Sequence, residues 1–495
     1  MKPWIAPLAA LLGLVLLAAD VPREIAPERP DDPPGRAARD NLLARSPGRR
    51  VVFGSYLSVQ VNVDALGRNI VGDAANEPSL AVHPTSPRNM VVGWRQFDTV
   101  ASNFRQAGWA YTFDGGRHWS FPGVLQRGVF RSDPVVDVAA DGTFYYQSLR
   151  ADFSVDVFRS TTGGISWLPP VAAYGGDKNW MAVDRSGGAS DGQVYGIWQR
   201  FFGCCGPSVL TRSTDAGASF EFPVPVAFWP TFGTLAVGPH AELVAAGIDG
   251  TNGQDTAHFV VARSTDAADP TASPSFSGRR VELGGSMEFG GPNPVGLLGQ
   301  ANVAVASDAV YLLASVRPEA GGDPLDVHFA RSADGGATWS APSRVNDDAA
   351  AAESWQWLAA HAVAPNGRID VIWNDTRDSG IAHVARLYYA YSWDGGLHWS
   401  ANVPASPPFD TTLGYPRQNK MGDYDSIVSD PTGADVAYTA TFNGEQDIYY
   451  VRVFPDCNGN VISDVTDIAR GVSLDRDADH VPDECAGSGL SVPGS

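Results

Sequence analysis

The chain has 495 residues, among them 53 Gly, 36 Pro, 22 Phe, 14 Trp and 15 Tyr, and only 18% are charged. That composition argues against a helical bundle and suits many short strands joined by turns. The net charge of −20 argues against nucleic acid and anionic membrane as general partners, because both need an electropositive face. A local positive site stays open.

Residues 1–19 place Lys2 ahead of an apolar run from Trp4 to Leu17, with Ala18 and Ala19 before Asp20. This predicts a cleaved signal peptide. The run is shorter than the ~20 residues a spanning helix needs, so no membrane span is expected after cleavage. The expected location is secreted or extracellular, with the periplasm and the cell surface left open. Residues 20–49 are rich in Pro, Arg and Asp without hydrophobic periodicity, which predicts a disordered leader. An exported protein can keep disulfides. Pairing of Cys457 with Cys485 is favoured, leaving the adjacent Cys204 and Cys205 as a vicinal disulfide or as two thiols.

From residue 50 to 455 the dominant signal is repetition. A turn recurs as YTFDGGRHW (111–119), RSTTGGISW (159–167), RSTDAGASF (212–220), RSTDAADP (263–270), RSADGGATW (331–339) and YSWDGGLHW (391–399). In this pattern the Asp carboxylate can accept backbone N–H bonds, Gly can take positive φ, and the terminal aromatic can pack between sheets. These are Asp boxes, and their expected role is structural. Each lies in a unit with three short strands, for example SLAVHP, NMVVGW and the strand leading into the turn. Seven such units run along the chain. The prediction is an all-β fold: a β-propeller of four-stranded antiparallel blades, with seven blades favoured and six the alternative. The last unit lacks an outer strand, and RVVFGSYLSVQVNV (50–63) is expected to supply it and close the ring.

Residues that directly follow the second strands should ring one mouth of the channel. They include Arg95, Arg150, Arg200, Arg317 and Arg377, with Asp375 beside the last. Five arginines at equivalent positions predict a cationic ring for a carboxylate, sulfate or phosphate, since the guanidinium fork binds such groups by bidentate hydrogen bonds. The alternative is that they form ion pairs between blades. Entry to the first strands adds Glu77, Asp133, Asp177, Lys178, Trp180, Glu353, Asp423 and Tyr424. Acids beside arginines, with aromatic rings for stacking, form the inventory of a sugar site. The expected partner is an anionic glycan or glycoconjugate. The nine His show no metal-ligand spacing, so no metal or other cofactor is expected in the propeller.

The Asp-box repeats over residues 75–455 resemble the sialidase superfamily. That resemblance implies an arginine triad holding the sialic acid carboxylate, a Tyr nucleophile paired with a Glu, and an Asp acid. Tyr424 in DYDSI resembles the nucleophile, and Asp98 in WRQFD falls where the acid belongs. Arg377, with Arg317 or Arg200, resembles triad members. Glu77, Glu353 and Glu445 are the candidates for the partner of the Tyr, which needs a base because its ordinary pKa is about 10. No Arg-Ile-Pro-like motif supplies the first triad arginine. Two readings therefore stand side by side: an exo-sialidase-type glycoside hydrolase, and a non-catalytic extracellular scaffold that binds carbohydrate or protein.

After residue 455 the pattern changes. In DCNGNVISDVTD, residues Asp456, Asn458, Asn460, Asp464 and Asp467 occupy positions 1, 3, 5, 9 and 12 of a calcium loop, with the Ile462 carbonyl at position 7. A second segment offers Asp475, Asp477, Asp479 and Asp483, with Ala486 at position 12. The span 456–486 resembles dockerin or thrombospondin type 3 calcium repeats, ahead of a tail at 487–495. Calcium is the expected cofactor here, and a protein partner held through this motif stays open. Val461 stands at position 6, where such loops usually carry Gly.

Overall fold

A computed structural model of the chain describes residues 44–485, apart from 252 and 254. The expected signal peptide, most of the leader, Ala486 and the tail lie outside the described residues. Residues 44–49 were expected within the disordered leader, but they include a strand, Arg45–Pro47, paired with Arg68–Ile70. The Asp64 carboxylate draws in Arg45 at 3.0 Å and Arg68 at 2.8 Å, partners that composition alone does not reveal.

Seven antiparallel sheets succeed one another along the chain as propeller blades. Their innermost strands are Ala74–Val82, Ser132–Val138, Trp180–Val183, Leu235–Val237, Asn302–Ala306, Gln356–Val363 and Ser426–Asp430, which number blades 1 to 7. Most strand residues are buried on both faces because each sheet has a neighbour on either side. Among the described residues, seven hydrophobic clusters form, one at each junction between adjacent blades. The core is thus a ring of interfaces.

Blade 7 takes three strands from the end of the chain and its fourth from the beginning. Tyr56–Gln60 pairs with Asp447–Val453, and Arg50–Phe53 adds outside it. The ring closes where the sequence led us to expect. The closing strand is held by the pairs Val59↔Tyr450 and Gln60↔Tyr449, by Val61 N–H on the Ile448 carbonyl at 2.8 Å, and by Ser58 Oγ against Tyr438 Oη at 2.6 Å.

The repeated turns join blades as well as strands. In four of them the carboxylate of Asp114, Asp215, Asp334 or Asp394 accepts the N–H four residues on, at 2.8 to 3.0 Å. The second glycine of the turn has positive φ, as at Gly116 (77°), Gly164 (88°) and Gly396 (84°). Each abuts the preceding blade: Gly116 lies on the Tyr450 ring, Gly164 on Val91 and Gly396 on Phe329. Two closing tryptophans follow the same route, Trp119 packing on Tyr450 and Trp399 on Phe329, while Trp167 packs on Tyr146 of its own blade, with centroids 5.1 to 5.8 Å apart.

Disulfides join Cys457 to Cys485 and Cys204 to Cys205, the second resolving the two alternatives in favour of the vicinal bridge. The segment after residue 455 holds a short helix, Asp464–Ala469. Among the described residues no helix is long and apolar enough to cross a membrane.

Candidate functional site

Entry to the inner strands carries a positive-φ residue in every blade. Glu77, Asp133, Lys178, Phe232 and Leu358 take left-handed φ between 47 and 56°, and Gly299 (133°) and Gly422 (110°) mark the other two blades. A left-handed residue there shifts the register, as seen between Asn76 and Ser79 and between Trp357 and Ala360. Such a bulge re-aims the side chain, and strain in non-glycine residues tends to mark sites. Blades 1 to 3 place charged groups at this point.

Those charges meet below the mouth. Arg95 Nε lies 3.0 Å from Glu77 Oε2, and Lys420 Nζ lies 3.1 Å from Glu77 Oε1 and 2.7 Å from Asp423 Oδ2. Lys178 Nζ reaches the same Asp423 oxygen at 2.6 Å and stands 4.0 Å from Asp177. The Lys178 N–H donates to Asp133 Oδ2 at 2.9 Å, and Gln199 Nε2 donates to Asp177 Oδ2 at 2.6 Å. All of these side chains are buried. Burial opposes ionisation of Asp423, but Lys178, Lys420 and Arg95 outweigh it and hold its pKa far below the ordinary value. Burial lifts Asp177 to about 6 despite Lys178. Burial, with Arg95 beside it, lowers Lys420 to about 8.

A hairpin between blades 4 and 5, Phe289–Gly290 with Asn293–Leu297, reaches over to this network. Leu297 N–H donates to Asp423 Oδ1 at 2.9 Å, and the Asn293 side chain bonds Gly422 O and Met421 N–H, each at 2.7 Å. The cluster is therefore tied down from both sides of the channel.

Of the site residues predicted from sequence, the structure brings Glu77, Arg95, Asp133, Asp177, Trp180, Asp423 and Tyr424 together. Tyr424 packs edge-on to Trp180 at 5.3 Å and donates its hydroxyl to the Pro134 carbonyl at 2.7 Å. Burial, then Glu77 and Asp133, push this phenol well above its ordinary pKa. A phenolate is strongly disfavoured there.

The remaining predicted residues lie in separate groups. Asp98 accepts from Gln106 at 3.2 Å and faces Arg127 at 3.9 Å, within blade 1 and its loops. Glu353 is exposed, and Glu445 accepts Gly72 N–H at 2.6 Å and Asn69 Nδ2 at 3.1 Å. Arg150 faces Asp156 at 3.6 Å, Arg317 faces Glu288 at 3.1 Å, and Arg377 is held by Asp347, Asp348 and Asp375 at 2.6 to 3.3 Å. With Arg95 bound to Glu77, four of the five arginines are committed to carboxylates. Arg200 has no ion-pair partner among the described residues. Its guanidinium lies 3.9 Å over Trp229 and 4.9 Å from Phe201. Phe228 and Trp229 both have positive φ, 64 and 47°, so the rim between blades 3 and 4 is strained where its aromatic face is presented. Sequence reasoning missed Trp229, Lys420 and Arg105, whose charged guanidinium is opposed by burial but favoured by the charges of Asp133, Asp177 and Asp423. Lys420 sits in a long loop without periodicity; Asp423 is three residues on, but nothing nearby in the chain points to its partner Glu77.

The C-terminal loops suit a hard cation. In the first, Asp456 accepts Asn460 N–H at 3.0 Å and Val461 N–H at 3.1 Å, and Asp464 accepts Cys457 N–H at 3.0 Å. The second repeats this pattern, with Asp475 accepting Asp479 N–H at 3.1 Å and His480 N–H at 3.2 Å, and Asp483 accepting Arg476 N–H at 2.9 Å. Position 6 takes the sharp turn in both, with φ 69° at Val461 and at His480. Asp464 Oδ2 and Asp467 Oδ1 are buried without a hydrogen-bond partner, the kind of unmet demand a calcium ion would satisfy. Burial and Asp456 raise Asp464 to about 6. Carboxylate oxygens of Asp475, Asp477 and Asp479 lie within 4.8 Å of one another.

No protein-family model matches the chain, and no curated protein matches its sequence. Among solved structures it is similar to a protein of unknown function from Dyadobacter fermentans, at 16% identity and TM-score 0.44, covering 82% of this chain and 99% of that one. It is similar to the Trypanosoma rangeli sialidase in complex with the inhibitor DANA, at 13% identity and TM-score 0.39 over 83% of this chain, and spans 60% of that structure. A Penicillium chrysogenum α-L-arabinanase complexed with arabinobiose matches at 11% identity and TM-score 0.39, covering 83% of this chain and 98% of that one.

Proposed function

We propose that this protein is an exported propeller that binds an acidic glycan at the channel rim between blades 3 and 4 and does not hydrolyse it. The observation that carries the reading is Arg200, the one rim arginine of the five without a carboxylate partner among the described residues, lying over Trp229 and beside Phe201. An indole face takes the apolar side of a sugar ring, and a guanidinium takes its carboxylate by paired hydrogen bonds. Two disulfides support an oxidising compartment. Against hydrolysis stands Tyr424, whose proton is engaged by the Pro134 carbonyl, while Glu77 is neutralised by Arg95 and Lys420.

The test is calorimetric titration of the protein with trigalacturonate and 3′-sialyllactose, with lactose as the neutral control. Binding of at least one acidic sugar, absent for lactose and weakened at least ~10-fold in Arg200→Ala, supports the reading; that loss equals about 1.4 kcal/mol. Equal affinity of the variant overturns it. Release of 4-methylumbelliferone from its sialic acid conjugate by the wild type and not by Tyr424→Phe would overturn the non-hydrolytic half.

A further inference from the structure

The C-terminal loops touch the propeller where its ring is joined. Ser55, in the turn between Arg50–Phe53 and the closing strand Tyr56–Gln60, donates its hydroxyl to Asp456 Oδ2 at 2.7 Å, across 401 residues of sequence. Asp456 is position 1 of the first loop. The adjoining Tyr56 hydroxyl donates to the Phe454 carbonyl at 3.4 Å. On the other side His480 stacks on Trp393 of blade 6, with centroids 4.5 Å apart. The segment thus bridges blade 6, the last strand of blade 7 and the strand that closes the ring.

The two loops also share a group. Cys457–Cys485 ties position 2 of the first loop to the end of the second, and Glu484 then reaches back. Its Oε1 lies 3.4 Å from Asn458 Nδ2 and accepts the Ser473 hydroxyl. Asn458 and Asn460 both turn their side-chain amides to Asp467 Oδ2, at 3.3 and 2.5 Å. Positions 3, 5 and 12 and Glu484 are therefore joined through Asn458 and Asn460, and the buried oxygens Asp464 Oδ2 and Asp467 Oδ1 lack hydrogen-bond partners. Among the described residues no cationic side chain is bonded to the first loop, so Asp456, Asp464, Asp467 and Glu484 repel one another unless a cation joins them.

We propose that calcium in the Asp456–Asp467 loop, with Glu484 contributed by the second loop, is the clasp that holds the propeller ring shut. Binding orders Asp456, Asp456 holds Ser55, and Ser55 fixes the turn from which the closing strand runs. An ion that binds only the ordered loop stabilises by mass action whatever that loop holds. The second loop acts as a bracket for Glu484.

The experiment is hydrogen exchange of the full chain, read on peptides covering residues 50–60 and 447–453, in calcium and in EGTA, with calcium affinity measured by titration. Calcium should slow exchange in both peptides at least ~10-fold in the wild type. Ser55→Ala should bind calcium within about threefold of wild type and lose most of that slowing, because the link is cut while the ligands remain. Glu484→Gln should bind calcium at least ~10-fold more weakly. Equal exchange of residues 50–60 with and without calcium in the wild type would overturn the clasp, and this comparison needs no variant to fold. Undiminished slowing in Ser55→Ala would overturn the link through Asp456, and unchanged affinity in Glu484→Gln would overturn the shared ligand.

Discussion

Buried charges near the channel mouth are arranged so that nearly every one has an answer, and the exceptions are informative. Asp425 is buried, accepts the Thr439 N–H at 3.1 Å and Asn374 Nδ2 at 3.0 Å, and has no cation beside it. Burial pushes its pKa up to about 7. A carboxyl raised in the folded state gives stability that is complete below its unfolded pKa of ~4 and is lost as pH rises through the folded value. Asp425→Asn removes that loss. The Asn374 oxygen, buried without a partner, can turn to accept the new amide. The variant should be more stable than wild type at pH 8, by about 2–4 kcal/mol, with no gain at pH 4; denaturant melts at the two pH values check this. At this scale the site was half legible. Glu77, Asp133, Asp177 and Asp423 stand beside recognisable strand starts, so their convergence followed from repeat position. Lys420 and Trp229 come from irregular loops, where no periodicity places a side chain, and both proved central.

Each repeated turn works as a joint with the blade before it. Its glycine needs positive φ for the turn and an absent Cβ for the contact, two demands that coincide in GG pairs. Gly396→Ala puts a methyl into the Phe329 ring at a φ of 84° and should cost about 2–4 kcal/mol, measured by denaturant unfolding. Gly367→Ala, also at positive φ (89°) but with open space around its Cβ position, should cost only the conformational part, about 1 kcal/mol. Strands and turns were legible because the repeated strand units and their turn chemistry are local. The hairpin at Asn293–Leu297 was not, since its partner Asp423 lies 126 residues away and the segment carries no repeat signature. The pairing of Arg45–Pro47 escaped for the same reason.

At the scale of the whole molecule, seven interfaces form a closed circle, and the two ends of the chain meet at one seam within blade 7, between Tyr56–Gln60 and Asp447–Val453. A chain beginning at residue 64 should expose the Asp447–Val453 edge and self-associate, giving higher-order species by size-exclusion chromatography and light scattering. The seam also sets an order of events. Its two strands lie some 390 residues apart, so an emerging chain must carry Tyr56–Gln60 unpaired until Asp447–Val453 has appeared. Early blades can stack as they emerge, but the circle completes only when Asp447–Val453 arrives, with the loops of 456–485 following it. Ring closure therefore waits on the seam, where a strand made early is paired by one made late.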